Sequence, residues 1–127
     1  GIDETPVEES EDVKSISREI TLEEDTNNWM IIYKVLNPII VDVHRRTESE
    51  NLLFRTIGIT LTFEDFHKIT RSKTLQKHTS SNQIIQENVR QLLKEFQQEP
   101  KKIRHVGVRL SNLKPKEVDE PSLDKYI

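Results

Sequence analysis

One segment of the chain alternates so regularly that a half-buried β-strand is the structure it favours. In residues 52–63, LLFRTIGITLTF, apolar side chains occupy one parity and threonine and glycine occupy most of the other. Successive side chains of a strand point to opposite faces, so this strand has one apolar face and one hydroxyl-lined face. A sheet built around it buries one side and leaves the other available to a partner.

Three further segments predict strands, and two predict helices. Residues 14–22, 68–76 and 103–113 place apolar residues on alternate positions, with cations and hydroxyls between them. Helical spacing of apolar residues predicts helices over about 29–46 and 82–98, the second capped by Ser80 or Ser81. Pro38 lies inside the first helix, so we expect a kink there or a break near Asn37.

The resulting order is β-α-β-β-α-β, an α+β fold. Each helix has one apolar stripe, so both should pack on the same face of a four-stranded sheet and leave the other face open. We expect the last strand, IRHVGVRLSNL at 103–113, to form one edge of that open surface. No internal repeat interrupts this organisation.

The acidic total charge conceals a basic central region. The 127 residues have a formal net charge of −3, which usually argues against a nucleic-acid partner. Residues 1–12 contain six acids and no base, whereas residues 13–113 contain sixteen Lys and Arg against twelve acids, a net of +4. We therefore predict an acidic linker over 1–12, one basic domain over 13–113 and a flexible polar tail over 114–127.

Nothing in the sequence points to an active site. The chain has no cysteine, so it has no thiolate chemistry, and this composition suits a reducing cytoplasm. No run approaches the roughly 20 apolar residues of a membrane-spanning helix. Glu64 and Asp65 should shape a turn. We expect no catalytic residue and no metal, because the four histidines lack ligand-like spacing: His44, His67, His78 and His105.

Cations and hydroxyls are concentrated on the parity that the helices leave open. Such groups, together with strand amides, contact phosphate oxygens in protein–DNA complexes. Phe54 is the only aromatic ring on that parity, so tracking of a duplex backbone fits better than stacking of single-stranded bases. The same pattern also occurs on ordinary solvated sheet faces, and the residues alone weigh the two interpretations about evenly.

Three segments resemble the C-terminal little-finger domain of the Y-family DNA polymerases, closest to the DinB branch. They are KSISREIT (14–21), LTFEDFHKITRSKTL (61–75) and IRHVGVRLSNL (103–113), which occur in the family's order. The initial GIDETPV resembles the end of that family's thumb domain, and a start at Gly1 rather than methionine indicates a fragment. The family's little finger is a four-stranded sheet backed by two helices that lies in the DNA major groove. The resemblance therefore implies this fold and binding of duplex DNA.

The resemblance also implies which residues contact the DNA backbone. Lys73 and His105 stand where relatives often carry arginine, which weakens the fixed positive charge. Strand parity places Arg18 and Arg71 with the apolar side unless twist or a bulge turns them. The implied positions are Lys14, Ser15, Ser17 and Arg18; Thr70, Arg71, Ser72 and Lys73; and Arg104, His105, Gly107 and Arg109.

The C-terminal residues EPSLDKYI resemble a PCNA-interacting peptide. Leu123, Tyr126 and Ile127 would be its apolar anchors, with Glu120 in place of the usual glutamine. A frayed terminus is the alternative. By resemblance, the partner of this tail is a sliding clamp.

We thus expect the little finger of a translesion (error-prone) polymerase, a monomer that grips template–primer phosphates and aids lesion bypass. This fragment should have no activity and no cofactor of its own, since the Mg²⁺ of the parent polymerase belongs to a palm domain. Two alternatives stay open: a standalone RNA-binding α+β module and a protein-interaction adaptor. Steep salt dependence of duplex binding would favour the little-finger interpretation over both alternatives.

Overall fold

The strands and helices follow one another in the predicted order. The computed structural model describes residues 15–116. The predicted α+β fold is confirmed, and a two-residue strand that pairs with the start of β2 is added to it. The elements are β1 (Ile16–Thr26), α1 (Trp29–Ser49), β2 (Leu52–Phe63), β3 (Lys68–Thr79), α2 (Asn82–Leu93), a 3₁₀ turn (Lys94–Phe96), β4 (Ile103–Ser111) and β5 (Lys114–Pro115).

The main sheet has the strand order β1-β4-β2-β3, and all neighbours are antiparallel. The expectation that the last strand forms an edge is wrong, because β4 lies between β1 and β2. The reason is topological. Each helix connects two parallel strands that lie one strand apart, and each gap is filled by a strand of the other half. The edges are therefore β1 and β3.

Both helices begin at the caps that side chains provide. Asn28 Oδ1 accepts a hydrogen bond from Met30 N at 3.0 Å, and Ser81 Oγ accepts one from Ile84 N at 3.3 Å. The α1 helix continues through Pro38 to Ser49, so the break considered near Asn37 does not occur. Pro38 is exposed, which lets water satisfy the carbonyl that its ring leaves without a donor. None of the helices within residues 15–116 is long and apolar enough to cross a membrane.

The α2 helix ends at Leu93, five residues before the predicted end. A 3₁₀ turn follows, and it buries Phe96 against Phe63 with ring centroids 6.4 Å apart. The apolar stripes of both helices cover one face of the sheet, as predicted. Core positions contributed by α1 include Ile32, Leu36, Ile39 and Val43, and those of α2 include Ile85, Val89 and Leu93. The sheet contributes Ile57, Ile59, Leu61, Val106, Val108 and Leu110.

Candidate nucleic-acid interface

The face of the sheet away from the helices is a regular array of short side chains. The register of the four strands aligns these residues in rows that run in the order β1, β4, β2, β3. We call this surface the open face. Its rows are Ser17, Arg109, Gly58 and Ser72; Glu19, Gly107, Thr60 and Thr70; Thr21, His105, Thr62 and Lys68; and a partial row of Ser111, Thr56 and Thr74.

A shallow concavity of about 250 Å³ lies over Arg109, Gly58 and Ser72 of the first row and extends over parts of the second row and the partial row. Gly58 pairs between Arg109 and Ser72 and adds no side chain there. Arg109 is exposed and forms no ion pair or side-chain hydrogen bond with any other residue between 15 and 116. Its guanidinium therefore keeps its donors available to an external acceptor. The residues that line the concavity include Thr56, Thr60, Thr70, Ser72, Arg109 and Ser111.

The hydroxyl groups of the partial row are oriented by a short chain of hydrogen bonds. Asn112 Nδ2 donates to Thr56 Oγ1 at 2.6 Å, and Thr56 Oγ1 lies 2.9 Å from Thr74 Oγ1. Either hydroxyl can donate in the Thr56–Thr74 hydrogen bond, and in both arrangements one hydroxyl proton of the pair remains for an acceptor outside the sheet. This end of the open face is thus supplied with donors.

The opposite corner of the open face holds its one acidic side chain. His105 Nε2 donates to Glu19 Oε1 at 2.7 Å, and His105 Nδ1 lies 2.9 Å from Thr21 Oγ1, which donates to it in the neutral ring. Both ring nitrogens are therefore engaged within the sheet. The corner next to β1 is less suited to an anion than the first row.

Gly107 makes room for this carboxylate. A Cβ at position 107 would lie 2.5 Å from Glu19 Cγ and 3.2 Å from the carbonyl oxygen of Arg18. Gly107 is buried beneath the Glu19 side chain. It belongs to the floor of the open face, not to its contact surface.

Three of the residues expected at the DNA lie on the helix-covered side. Arg18 pairs in register with Val108, Arg71 with Ile59, and Lys73 with Ile57. No bulge turns Arg18 or Arg71, so both keep the side that their parity predicts. Lys73 obeys the same rule, although the sequence reasoning did not apply it there.

The two arginines on this side are held by partners from the helical layer. Arg18 Nη1 lies 3.7 Å from Asp42 Oδ2 of α1. Arg71 Nη2 lies 3.5 Å from Glu95 Oε2, and its guanidinium lies 5.3 Å from the Phe96 ring centroid. Arg18 therefore leaves the sheet on the helix side, as its parity predicts, whereas Arg71 also lines the concavity next to Ser72 and Arg109.

Arg104 reaches the open side because β4 contains a bulge. Thr62 pairs with His105 and Phe63 with Ile103, so Arg104 is an extra residue in β4. Ile103 and Val106 are both buried, and the two residues between them therefore point outward. The Arg104 guanidinium lies 3.7 Å from Asp25 Oδ1 and 4.7 Å from the centroid of the Phe66 ring.

A second bulge removes the ring expected on the open face. The register of β2 shifts between Phe54 and Thr56, and Phe54 is fully buried in the core. The exposed ring is instead Phe66, which sequence reasoning missed. The available signal was an aromatic residue inside the polar turn EDFH.

The turn that contains Phe66 is fixed by an ion pair, which confirms the predicted turn at Glu64 and Asp65. Lys101 Nζ lies 2.9 Å from Asp65 Oδ2, and His67 N donates to Asp65 Oδ1 at 3.1 Å. These donors lower the pKa of Asp65, with the Lys101 hydrogen bond as the main cause, and the carboxylate in turn raises the pKa of Lys101. Both groups stay charged at neutral pH.

The remaining predicted residues fall at the margins of the described chain. Ser15 immediately precedes β1. Lys14 and the clamp-peptide residues Leu123, Tyr126 and Ile127 lie outside the described residues. Within residues 15–116, no three His, Cys, Asp or Glu side chains are grouped so that they could hold a metal ion.

Comparison with known proteins places this architecture in a family. Residues 13–123 match the model of the impB/mucB/samB family C-terminal domain. The chain is 37% identical over 117 residues to DNA polymerase IV of Methanosarcina acetivorans, covering 91% of this chain and 32% of that protein. It is 39% identical over 117 residues to DNA polymerase IV 2 of Methanosarcina mazei, covering 92% and 31%. The chain spans about a third of the length of the curated relatives it matches.

Solved structures share the fold at low sequence identity. A little-finger domain of PolIV, solved in complex with a β-clamp processivity factor, has a TM-score of 0.63 and 20% identity, covering 80% of this chain and 91% of that one. A DinB-family error-prone DNA polymerase from Sulfolobus solfataricus has a TM-score of 0.68 and 20% identity, covering 77% and 29%. The likeness extends to the arrangement of strands and helices described above.

Proposed function

The chain belongs to the impB/mucB/samB C-terminal domain family, the little-finger domain of Y-family DNA polymerases. From this premise we propose that its open face binds the backbone of template–primer duplex DNA. The observation that carries the proposal is the concavity over the first row. It combines the guanidinium of Arg109, which has no ion pair within residues 15–116, with hydroxyl donors from three strands. These groups suit phosphate oxygens and read no base edges, so binding should be independent of sequence.

The strongest contacts are assigned to the first row and its neighbours. Thr70, Ser72 and Arg109 lie on strands that carry no acid, whereas Glu19 on β1, two residues from Ser17, opposes an anion. We assign His105 and Gly107 to positioning Glu19 and Ser15 to the approach at the start of β1. Lys14, its neighbour in sequence, is kept as a proposed backbone contact.

Arg71 and Lys73 retain a role because β3 is an edge strand. Their side chains border the same edge as Ser72, although they leave it on the helix side. A DNA strand that runs along this edge would lie within reach of both faces of β3. Arg18 has the equivalent position on the β1 edge, where Asp42 neutralises part of its charge.

A salt titration of duplex binding tests the proposal. The logarithm of affinity should fall linearly with the logarithm of salt concentration, with a slope of about −0.9 per phosphate neutralised. Arg109→Ala should weaken binding to all duplex sequences equally and reduce the slope by about 1. Arg90→Ala is the matched control, since Arg90 lies on α2 over the Tyr33 ring. Salt-independent binding, or an equal effect of the two substitutions, would contradict a phosphate-binding open face.

We further propose that the parent protein is a translesion DNA polymerase whose catalytic Mg²⁺ is held by its palm domain. The DNA polymerase IV relatives of about three times this length support the assignment. A grip limited to backbone phosphates would let the parent move along distorted templates without rejecting them. The little finger itself would supply affinity and no chemistry.

The tail is proposed to recruit a sliding clamp through Leu123, Tyr126 and Ile127. Three apolar anchors at this spacing fit a hydrophobic pocket, and a related little finger has been solved with a β-clamp processivity factor. Deletion of residues 122–127 should abolish clamp binding measured by surface plasmon resonance and leave duplex affinity unchanged. Undiminished clamp affinity after the deletion would disprove this role of the tail.

A further inference from the structure

Phe66 is the most exposed aromatic side chain of residues 15–116, and it lies in the turn between β2 and β3. It is 69% exposed, and its backbone φ is 68°. A bulky residue rarely adopts a positive φ, since its Cβ approaches the following carbonyl group. Such a conformation persists only where the surroundings enforce it, and enforced strain is concentrated at functional sites.

The surroundings of Phe66 enforce this geometry from both sides. Phe66 N donates to Phe63 O at 2.8 Å within the turn. Glu64 N donates to Lys102 O at 2.8 Å, and Lys102 N donates to Glu64 Oε2 at 3.0 Å. With the Asp65–Lys101 ion pair, these bonds tie the turn to the segment before β4. The ring is therefore presented to solvent by a rigid support.

The ring does not stand alone. The Arg104 guanidinium lies 4.7 Å from the centroid of the Phe66 ring and 3.7 Å from Asp25 Oδ1. Arg104 covers only part of a ring that remains 69% exposed. The bulge that turns Arg104 outward also places it beside His105 in the third row, so the pair continues the open face at one end.

We propose that Phe66 and Arg104 form a stacking platform for an unpaired nucleobase of the DNA whose backbone lies on the open face. This inference rests on the proposed function and adds a base-binding site to it. An aromatic ring and a guanidinium plane are the two side-chain surfaces on which bases stack, and stacking of this kind tolerates any base. Because Asp25 pairs with the Arg104 guanidinium, the platform is assigned the base and not the phosphate that accompanies it.

The composition around Phe66 favours a base over a protein surface. Its neighbours Glu64, Asp65, His67 and Lys68 are all polar and exposed. A protein-docking site would need a contiguous apolar patch around the ring. A single flat ring in a polar setting matches the small apolar face and polar edge of a nucleobase.

The test compares two probes that differ only in their bases. One is a duplex with one blunt end and a 5′ overhang of thymidines at the other end. The second is the same duplex with an overhang of equal length made of abasic sites. Both have the same phosphates, so the difference in their affinities isolates stacking. Fluorescence anisotropy should show that the unaltered chain binds the thymidine overhang about tenfold more tightly than the abasic one.

The variants separate stacking from folding. Phe66→Asn removes the ring and suits a positive φ, so it should fold normally and bind both overhangs equally. Phe66→Trp should keep the preference, and its indole fluorescence should be quenched by the thymidine overhang. Met30→Asn is the control, because Met30 is 80% exposed on α1 and lies away from the open face.

Equal binding of the two overhangs by the unaltered chain, or a preference that survives Phe66→Asn, would overturn the platform. Weaker binding of Phe66→Asn to every probe, blunt duplex included, would indicate a structural role and also overturn it. The proposed function is tested separately by the affinity of Arg109→Ala for a blunt duplex. An unchanged affinity there would contradict backbone binding without bearing on the platform.

Discussion

Two glycines on the open face should respond in opposite directions to the same substitution. Neither has a positive φ, so alanine is conformationally allowed at both positions. Replacing glycine by alanine at such a site stabilises a protein by about 0.4–1 kcal/mol, since the unfolded chain loses freedom. At Gly58 the new Cβ would meet Arg71 O at 3.5 Å and Ser72 Cβ at 3.6 Å, which are ordinary contacts. Gly58→Ala should therefore be stabilising by about 0.5 kcal/mol.

At Gly107 the same methyl group has no room. It would lie 2.5 Å from Glu19 Cγ, so Glu19 must rotate away and release its 2.7 Å hydrogen bond to His105. This exposed pair contributes only about 0.5 kcal/mol. The carbonyl oxygen of Arg18, at 3.2 Å, must also shift, and overpacking of this kind costs about 1–3 kcal/mol. After the alanine gain is subtracted, Gly107→Ala should destabilise by about 1–2 kcal/mol.

Urea denaturation measures the change in the free energy of unfolding of each variant. The thermal midpoint, which shifts by about 4–8 °C per kcal/mol, is a second measure. The double variant Glu19→Ala/Gly107→Ala separates the 2.5 Å contact from the rest, since it removes Glu19 Cγ and leaves the Arg18 oxygen at 3.2 Å and the Cβ of residue 19 at 3.3 Å. It should recover about 1 kcal/mol relative to the sum of the single changes. If Gly107→Ala is as stable as the unaltered chain, or the double variant shows no coupling, the packing of Glu19 over Gly107 is refuted.

The electrostatics of the domain give two further predictions. Glu19→Gln removes the acid of the open face and should raise duplex affinity about threefold at low salt; unchanged affinity in anisotropy titrations would show that DNA does not approach this corner. The pKa of Asp65 is lowered by Lys101, so its pair stabilises the fold above the unfolded pKa of about 3.9 and ceases to do so as pH falls through the folded value. Asp65→Asn should thus flatten the loss of stability below about pH 4 in acid denaturation followed by circular dichroism, and an unaltered acid limb would count against the ion pair.

Sequence reasoning located the elements because each pattern is local. The alternation of residues 52–63 and the stripe of α2 report burial one residue at a time. In the structure the alternation holds from Ile57 to Phe63 and is broken at Phe54, and the stripe holds at Ile85, Val89 and Leu93. The side of the sheet on which Arg18 and Arg71 lie could be predicted for the same reason. The rule that placed them on the helix side also applies to Lys73, two residues from Arg71, and would have placed it correctly.

The features that escaped prediction depend on which strands pair. The register shifts at Phe54 and Arg104 exist only relative to a partner strand, since β3 has three residues more than β2 next to Phe54 and β4 has one residue more than β2 at Arg104. Glu19 and His105 are 86 residues apart in the chain, yet they form one cluster. Nothing within either segment identifies the other as its partner.

The sequence by itself determined an α+β fold with one open, hydroxyl-rich face, since side-chain periodicity decides which surface of each element is buried. Tertiary structure alone decided that β4 is central, that Glu19 occupies one corner, and that Arg109 and Arg104 lie at separate places on that face. It also decided that Arg104 meets Phe66 beyond the end of β2. The physical reason is that periodicity is a property of one segment, whereas register, bulges and neighbouring charges arise only when distant segments form hydrogen bonds with each other.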